Sequence, residues 1–290
     1  MSLRSLLDVP APAKLNLFLH VIGQRDDGYH LLQSALTLVD WADTLHFERR
    51  ADGRLQRHDL GHSLPVDDLC LRAARALQAA SGCTQGADIS IEKRLPSGAG
   101  LGGGSSDAAS TLLALNQLWG LRWPRARLLE LAATLGADLP FFIGGAGAAF
   151  VEGVGEQLTT IALPAQDYLV IKPAASLATA QVFGHPALVR DGAAAILSGF
   201  LADAATPGTL WGRNDLQPAA EALEPQVAQA ALWLTGRCGP SRMTGSGSAV
   251  FARVGNDASP VAISTQDLPA GWVGRSCRSL ASHPLAAWAD

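Results

Sequence analysis

A glycine-rich segment, residues 96–106, constrains this 290-residue chain more than any other stretch. It reads PSGAGLGGGSS and separates a strand-like run, residues 89–93, from a helical pattern of apolar residues between positions 108 and 119. Glycine lets the main chain approach a ligand closely, and the free N–H groups before a helix can surround an anion. Because regular elements adjoin the segment on both sides, it predicts a phosphate-binding turn rather than a flexible linker.

Well-known phosphate-binding patterns differ from this segment. Gly98, Gly100 and Gly103 match GxGxxG, but a dinucleotide fold then needs a strand and an acidic residue about 20 residues later, where this chain continues into Pro124 and another helical pattern. A Walker A turn ends in Gly-Lys-Ser or Gly-Lys-Thr, which this segment lacks. The HRD and DFG segments of protein kinases are absent from the sequence. A phosphate binder of another class is favoured, and a dinucleotide-dependent oxidoreductase is kept as an alternative.

The turn needs further groups to hold a nucleotide. The dipole at a helix terminus contributes about 0.3–2 kcal/mol to the free energy of binding an anion, whereas micromolar nucleotide binding needs a total of about 8 kcal/mol. Lys93 can supply positive charge, and the hydroxyls of Ser105 and Ser106 can reach phosphate or Mg²⁺, either serine being open as the metal ligand. The predicted contacts to ATP are Lys93, Pro96, Ser97, Gly98, Ala99, Gly100, Leu101, Gly102, Gly103, Gly104, Ser105 and Ser106.

The pattern of elements predicts an α+β fold of two domains. Residues 14–21 alternate as a half-buried strand, with Lys14 and Asn16 on one face, and they form a hairpin with residues 29–39. Helices are predicted over 69–80, after the glycine turn and from Pro124, and strands recur at 168–171, 249–254 and 273–277. The length suits two domains, and we place them at residues 1–163 and 164–290.

Composition argues against several classes of protein. The net charge of −4 and the lack of a basic stripe disfavour a nucleic-acid partner, and no polybasic membrane-binding segment is present. The four scattered cysteines indicate reduced thiols. There is no export signal, and the apolar stretch 141–151 is shorter than the roughly 20 residues that span a bilayer. We therefore expect a soluble cytoplasmic protein without a membrane partner, either monomer or homodimer.

Two charged residues are candidates for catalysis. Asp138 lies on a predicted loop after a helix, where it is either a general base or an ordinary polar residue at a helix end. Lys14 shares a strand face with Asn16, so both can reach one substrate, although an exposed lysine at a sheet edge fits the same pattern. The residues alone leave both alternatives open.

Three blocks of the sequence resemble the galactokinase–homoserine kinase–mevalonate kinase (GHMP kinase) superfamily. They are residues 12–17, residues 96–109 and residues 244–252, in the family order and spacing. Residues 23–30, 135–140 and 152–156 resemble the branch that phosphorylates a cytidine-diphosphate methylerythritol. The resemblance extends from about residue 10 to residue 252, and the full set of motifs is highly specific.

The resemblance implies an N-terminal ATP-binding and catalytic domain and a ferredoxin-like C-terminal domain. It implies transfer of the γ-phosphoryl group of ATP, with Mg²⁺, to the 2-hydroxyl of 4-(cytidine 5′-diphospho)-2-C-methyl-D-erythritol, in the non-mevalonate route to isoprenoid precursors. Under it, Asp138 is the general base and Lys14 stabilises the reacting groups. A sister kinase for homoserine, mevalonate or a sugar, and a nucleotide sensor without turnover, are the alternatives.

The resemblance also assigns the acceptor side of the site. Tyr29 and Phe183 are expected to stack on the cytosine ring, and His30 to bond its edge, although a core tyrosine and a core histidine explain the pattern as well. The amides at Gly245 are expected near the diphosphate, a tight hairpin turn being the other interpretation. The predicted substrate contacts are Asn16, Tyr29, His30, Thr179, Phe183, Gly245 and Ser246. Asp68 departs from the family, which more often has Asn there, and this puts one adenosine contact in doubt.

Overall fold

Two sheets, formed one after the other along the chain, organise the computed structural model. The structure describes residues 3–61, 63–204, 206, 209–254 and 267–289. Both sheets are mostly antiparallel and both carry helices, so the α+β fold class predicted from the sequence is confirmed. The domain limits at 163 and 164 stay a prediction. The segment at Leu285 and Ala289 returns to pack in the core of the first sheet.

The first sheet has six strands in the described residues, and β1 and β2 form its long central hairpin. The order along the sheet is β3-β4-β2-β5-β6, with β1 paired to β2, and only the β3–β4 pair is parallel. The strand predicted at 29–39 is the first part of a longer strand, β2, which continues to Arg50. The strands are β1 (Ser5–Gln24), β2 (His30–Arg50), β3 (Leu55–Asp59), β4 (Gly86–Glu92), β5 (Ala148–Glu152) and β6 (Gln157–Thr160).

Strand β1 differs from the half-buried strand that alternation predicted. All residues from 14 to 21 are buried, because the helices of the first unit cover one side and the second unit covers the other. A bulge between Asn16 and Phe18 also shifts the register, so Phe18 packs with Leu15 against Phe251 of the second sheet. The strand therefore lies inside the molecule, and its polar side chains face an enclosed site.

In the described part of the chain four helices belong to the first sheet, and α2 is the longest of them. Small residues follow its N-terminus, and Ser106, Ala108 and Ala109 are wholly buried, so α1 and β1 approach it closely. None of the described helices is both long and apolar enough to cross a bilayer. The helices are α1 (Leu69–Ser81), α2 (Gly103–Leu118), α3 (Arg125–Ala133) and α4 (Leu139–Ile143).

The second sheet is antiparallel in the described residues, in the order β10-β7-β9-β8. Helices α5, α7 and α8 pack on one face and α6 packs on the other, and a short 3₁₀ turn at Ala286–Ala289 follows the last strand. Its core forms where β7 and β9 contact α8. The strands are β7 (Asp167–Lys172), β8 (Ser241–Met243), β9 (Val250–Val254) and β10 (Val273–Arg278). The helices are α5 (Thr179–Phe183), α6 (Leu197–Ala204), α7 (Gln217–Leu223) and α8 (Gln226–Cys238).

Candidate active site

A cleft of about 1170 Å³ lies where the two sheets meet. Its wall is formed by β1, by the glycine turn before α2 and by the segments before α5 and β9. All but one of the residues predicted for catalysis or binding line this cleft. They are Lys14, Asn16, Tyr29, His30, Lys93, residues 96–105, Asp138, Thr179, Phe183, Gly245 and Ser246.

Ser106 is the exception among the predicted residues. Its side chain is fully buried at the start of α2, and its hydroxyl has no hydrogen-bond partner in the described part of the chain. Ser105, one residue earlier, lines the cleft. Of the two serines offered as metal ligands, Ser105 is therefore the one that faces the ligand space.

The glycine turn contacts the 244–248 turn through the main chain. The carbonyl oxygens of Gly98 and Ala99 accept hydrogen bonds from the amides of Ser248 and Ala249, at 3.0 and 3.1 Å. Gly100 has φ 73°, and a Cβ at that position would lie 2.2 Å from the carbonyl oxygen of Thr244. A side chain cannot be accommodated there, since real Cβ atoms do not approach that closely. The two turns form one continuous floor of the cleft.

Lys14 and Asp138 lie close together in the cleft. The Lys14 Nζ lies 4.0 Å from Asp138 Oδ2, and the lysine side chain is buried while that of Asp138 is 44% exposed. Burial lowers the pKa of Lys14, and the nearby Asp138 carboxylate opposes that shift. The lysine stem lies against Gly102 and its ammonium against Gly245, at the contact between the two turns. The pair can serve chemistry between a ligand on one turn and a ligand on the other.

Asn16 is held in position beside Lys14. Its Nδ2 donates to Ser34 Oγ at 2.9 Å, and its Oδ1 accepts from the ammonium of Lys14. Its backbone amide donates to Thr244 Oγ1 at 2.9 Å. These contacts fix the amide orientation, because the NH₂ group must face a hydroxyl and the oxygen must face the lysine.

Lys93 lies between two carboxylates under the glycine turn. Its ammonium contacts Asp107 Oδ2 at 2.5 Å and also the carboxylate of Asp43, which is fully buried. Burial alone would lower the pKa of Lys93, but Asp107 and Asp43 outweigh it and raise the pKa. Burial, with Asp43 nearby, raises the pKa of Asp107 to about 8 against the attraction of Lys93. Much of the positive charge of Lys93 is thus neutralised within the protein.

The far end of the cleft is aromatic. The His30 and Phe183 rings lie 5.0 Å apart between centroids at an interplanar angle of 35°, while Tyr29 is 64% exposed. Arg190 Nε donates to His30 Nε2 at 3.1 Å. Burial and the charge of Arg190 lower the pKa of His30. An exposed aromatic ring facing a fixed pair of rings is suited to a planar ligand.

Two further residues of this wall come from separate segments. Thr179 and Ser246 share a hydrogen bond of 2.8 Å between their hydroxyls, which joins the start of α5 to the 244–248 turn. Both were predicted as substrate contacts, and both face the cleft. Their hydroxyls can donate to an anionic or carbohydrate ligand once that mutual bond is exchanged.

Asp68, the departure from the family pattern, has its charge compensated. Its Oδ1 accepts from the amide of Leu71 at 3.0 Å as the N-cap of α1, and it lies 2.9 Å from Arg57 Nη1. Arg57 is itself nearly buried and also contacts Asp59. The expected repulsion toward a nucleotide is therefore reduced, since the aspartate is paired before any ligand binds.

Sequence reasoning missed the partners of the predicted residues. Asp107 directly follows the glycine-rich segment, so its place near the start of α2 was a usable signal. Asp43 and Arg190 contact Lys93 and His30 across 50 and 160 positions of sequence, and no local pattern marks them. Thr244 precedes Gly245 and was readable as part of that turn. A local sequence pattern therefore does not show which side chains pair across long distances in the chain.

Comparison with known proteins agrees with this site. A model of the GHMP kinases N-terminal domain matches residues 68–146, which include the glycine turn and Asp138. The 4-diphosphocytidyl-2-C-methyl-D-erythritol kinase of Methylibium petroleiphilum is 62% identical over the full length of both chains. This chain belongs to the 4-diphosphocytidyl-2-C-methyl-D-erythritol kinase family. It is thus an ATP-dependent kinase, as predicted. The member from Polaromonas naphthalenivorans is 54% identical over 99% of this chain and 97% of its own length.

Solved structures of GHMP kinases share the fold. A crystal structure of 4-(cytidine 5′-diphospho)-2C-methyl-D-erythritol kinase has a TM-score of 0.80 and 34% identity, covering 93% of this chain and 98% of that one. The homoserine kinase of Cytophaga hutchinsonii, at 18% identity, has a TM-score of 0.68 over 98% of this chain and 96% of that one. The second likeness shows the fold alone.

Proposed function

We propose that this chain transfers the γ-phosphoryl group of ATP to the 2-hydroxyl of 4-(cytidine 5′-diphospho)-2-C-methyl-D-erythritol, as a step toward isoprenoid precursors. The observation that carries the proposal is the Lys14–Asp138 pair, 4.0 Å apart, at the contact between the glycine turn and the turn at Gly245. A phosphate donor on one side and an alcohol acceptor on the other would meet at this pair. The aromatic wall at His30 and Phe183 suits the cytosine ring of that acceptor.

The arrangement supports a direct displacement. The acceptor hydroxyl oxygen forms a bond to the γ-phosphorus while the bond from that phosphorus to the β–γ bridging oxygen breaks, and ADP leaves with the electron pair. Asp138 takes the hydroxyl proton as the new bond forms. Lys14 stabilises the charge on the transferred group, and its burial strengthens that interaction because water does not screen it there.

The glycine turn is suited to the ATP phosphates. The turn precedes the N-terminus of α2, and its left-handed glycines Gly98, Gly100 and Gly102 leave no side chain over the main chain. The roles of Lys93 and of residues 96–105 as nucleotide contacts are part of this proposal. Ser106 takes no direct part in it, because its hydroxyl is enclosed at the start of α2.

Magnesium fits this cleft as a companion of the nucleotide. The described residues contain no group of three His, Cys, Asp or Glu side chains able to hold an ion without help. Mg²⁺ keeps several waters and is held by few protein groups plus substrate phosphates, so the hydroxyl of Ser105 and the ATP oxygens are a sufficient set. When bound, the ion would supply neutralisation of phosphate charge.

The acceptor assignment rests on the aromatic end of the cleft and on the relatives. Homoserine, mevalonate and sugars carry no base to stack on Tyr29 and Phe183, so the sister kinases are not favoured. A nucleotide sensor without turnover is disfavoured by the presence of both Lys14 and Asp138 in one cleft. Asn16, Thr179 and Ser246 are proposed to contact the methylerythritol diphosphate part of the acceptor.

The test is Asp138→Asn in an assay of ADP release with ATP, Mg²⁺ and the cytidine acceptor. If Asp138 is the base, kcat falls about 10²–10⁴-fold with little change in the KM for ATP. Asp52→Asn is the matched control, because it removes the same charge in the β2–β3 loop outside the cleft. A fall below about threefold would remove Asp138 from the role of base, and turnover with mevalonate or homoserine alone would overturn the acceptor.

A further inference from the structure

Arg190 holds the aromatic end of the cleft together through all three of its guanidinium nitrogens. Nε donates to His30 Nε2 at 3.1 Å, and Nη1 donates to the carbonyl of Leu188 at 3.1 Å. Nη2 donates to the carbonyls of Phe183 and His185, at 3.0 and 3.3 Å. Arg190 therefore joins β2 to the segment that follows α5, and it contacts both members of the His30–Phe183 ring pair.

The contact with His30 determines where the imidazole carries its proton. A guanidinium has N–H donors and no acceptor, so the His30 Nε2 that faces it must be the acceptor. The ring is then neutral, and its single N–H is at Nδ1. None of the described residues accepts a hydrogen bond from Nδ1, and His30 lines the cleft, so that donor is free for a ligand.

We propose that Arg190 is a positioning residue that fixes His30 as the Nδ1–H tautomer and thereby sets the selectivity of the cleft for cytosine over uracil. This inference rests on the proposed function, because it assumes that the acceptor base lies at His30. Arg190 also lines the cleft, but each of its guanidinium nitrogens already has a protein acceptor, and the contact that bears on the base is the one with His30.

The chemistry of the two bases gives the reason for the selectivity. Cytosine presents acceptors at N3 and O2, whereas uracil carries a proton on N3. A fixed Nδ1–H donor pairs with cytosine N3, but it meets a second donor when uracil occupies the same place. A site built around one hydrogen bond rejects an analogue that leaves a buried polar group unpaired. Without Arg190, His30 can change to the Nε2–H tautomer, whose Nδ1 is an acceptor, and the cleft loses that distinction.

The experiment compares Arg190→Met with Arg190→Lys. The first removes every donor to His30, while the second keeps one charged donor but loses the fork that also holds the Phe183 carbonyl. We expect Arg190→Met to raise the KM for the cytidine acceptor about tenfold with kcat within about threefold, and to lower the cytidine-to-uridine preference about 10–100-fold. Arg190→Lys should restore part of the preference. Arg237→Met, an exposed arginine stacked on Trp233 outside the cleft, is the matched control.

Two further measurements separate positioning from a merely structural role. ¹⁵N NMR of the histidine rings, with His30 assigned from a His30→Gln sample, should show Nδ1 protonated in the wild type and a mixture of forms in Arg190→Met. The pH profile of the KM should also change. Since burial and Arg190 hold the His30 pKa below its ordinary value, loss of Arg190 should let His30 take up a proton at about pH 6.5. The imidazolium again donates at Nδ1, so acid should strengthen binding of the cytidine acceptor in Arg190→Met and leave the wild type unaffected.

Failure of this inference is distinguishable from failure of the proposed function. Thermal shifts with CDP and UDP measure base selectivity without turnover, so the comparison holds even if the wild type releases no ADP. An Nε2–H tautomer in the wild type would overturn the inference. So would an Arg190→Met protein that loses CDP and UDP binding equally. A wild type that prefers CDP but phosphorylates no cytidine acceptor would refute the function and leave the role of Arg190 standing.

Discussion

Two buried lysines lie on either side of the glycine turn, and their surroundings differ. Lys14 has one carboxylate, Asp138, at 4.0 Å, and its pKa is lowered. Lys93 lies between Asp43 and Asp107, and its pKa is raised. The number of partners decides what each charge can do. A protonated Lys14 has a charge that a phosphoryl group can use, whereas the charge of Lys93 is largely neutralised by its two carboxylate partners.

The Lys93 cluster also connects the two ends of the turn. Asp43 Oδ1 accepts from the amides of Arg94 and Leu95, at 2.6 and 2.7 Å, just before the turn begins. Asp107 lies just after it, in the second turn of α2. Through Lys93, both ends are therefore held to β2. We interpret Lys14 as a reacting group and Lys93 first as a support of the turn, while its predicted contact with ATP stays a prediction.

The largest effect is expected at Lys14. Replacing it by Met removes the cation nearest the transferred group, and kcat should fall by roughly 10³-fold or more, as for other cations that stabilise this transition state. Steady-state ADP release measures it. Lys172→Met is the control, since Lys172 is a lysine of β7 that donates to backbone carbonyls outside the cleft. A near-normal kcat of Lys14→Met would show that Lys14 does not stabilise the transferred group, and the proposed difference in role between the two lysines would be wrong.

Lys93→Met should act mainly on stability. It leaves two buried carboxylates without their cation, and the free energy of unfolding should fall by about 3 kcal/mol, the low end for a broken buried pair because Asp107 can take up a proton. Urea denaturation at pH 7 measures this loss. Adding Asp107→Asn to Lys93→Met should recover part of it. If the single variant keeps its stability and loses only ATP affinity, Lys93 is a ligand contact and not a support.

Asp107→Asn should change the dependence of stability on pH. The folded pKa of about 8 exceeds the unfolded value of about 3.9, so the folded state binds a proton that the unfolded state lacks. The stability is therefore fully present below the unfolded value and is lost as pH rises toward 8. The Asn variant should lack this decline, so its stability relative to the wild type should increase between pH 6 and pH 9. Parallel unfolding curves at pH 6 and pH 9 would contradict the raised pKa.

The smallest effect is expected at Asp68. Because Arg57 already neutralises it, Asp68→Asn should change the KM for ATP by less than about threefold. The same assay with varied ATP measures it. A gain of tenfold or more in ATP affinity would show that the aspartate opposes the nucleotide despite its pairing.

Local order was largely predictable from the sequence. The helix predicted over 69–80 is α1 at Leu69–Ser81, because an N-cap aspartate and a C-terminal glycine bound an apolar face there. The glycine turn and the helix after it also lie where the pattern indicated. Strand β5 was not predicted, because its apolar run in the 141–151 stretch does not alternate. Short apolar runs of that kind fit strands and helices equally well.

The residues of the candidate site also divide into those that the sequence predicts and those that only the fold brings together. The turn residues and Lys14 belong to continuous motifs, so the sequence alone located one side of the cleft. Asp43 and Arg190 acquire their roles by pairing with residues brought near by the fold, and their own neighbours in sequence carry no sign of it. The bulge at β1 was equally hidden, since register depends on the partner strand. Chemistry that depends on two distant side chains needs the tertiary structure.

The main-chain hydrogen bonds from Ser248 and Ala249 to Gly98 and Ala99 limit how far the two turns can move apart. Moving the two units apart at that seam would sacrifice these bonds, at roughly 0.5–1.5 kcal/mol each, and would expose Gly100. We therefore expect ligands to enter and leave through the open rim near Tyr29, while the contact between the two turns stays fixed. The main chain thus sets the spacing between the two turns, and with it the separation of any groups bound to them, before a ligand binds.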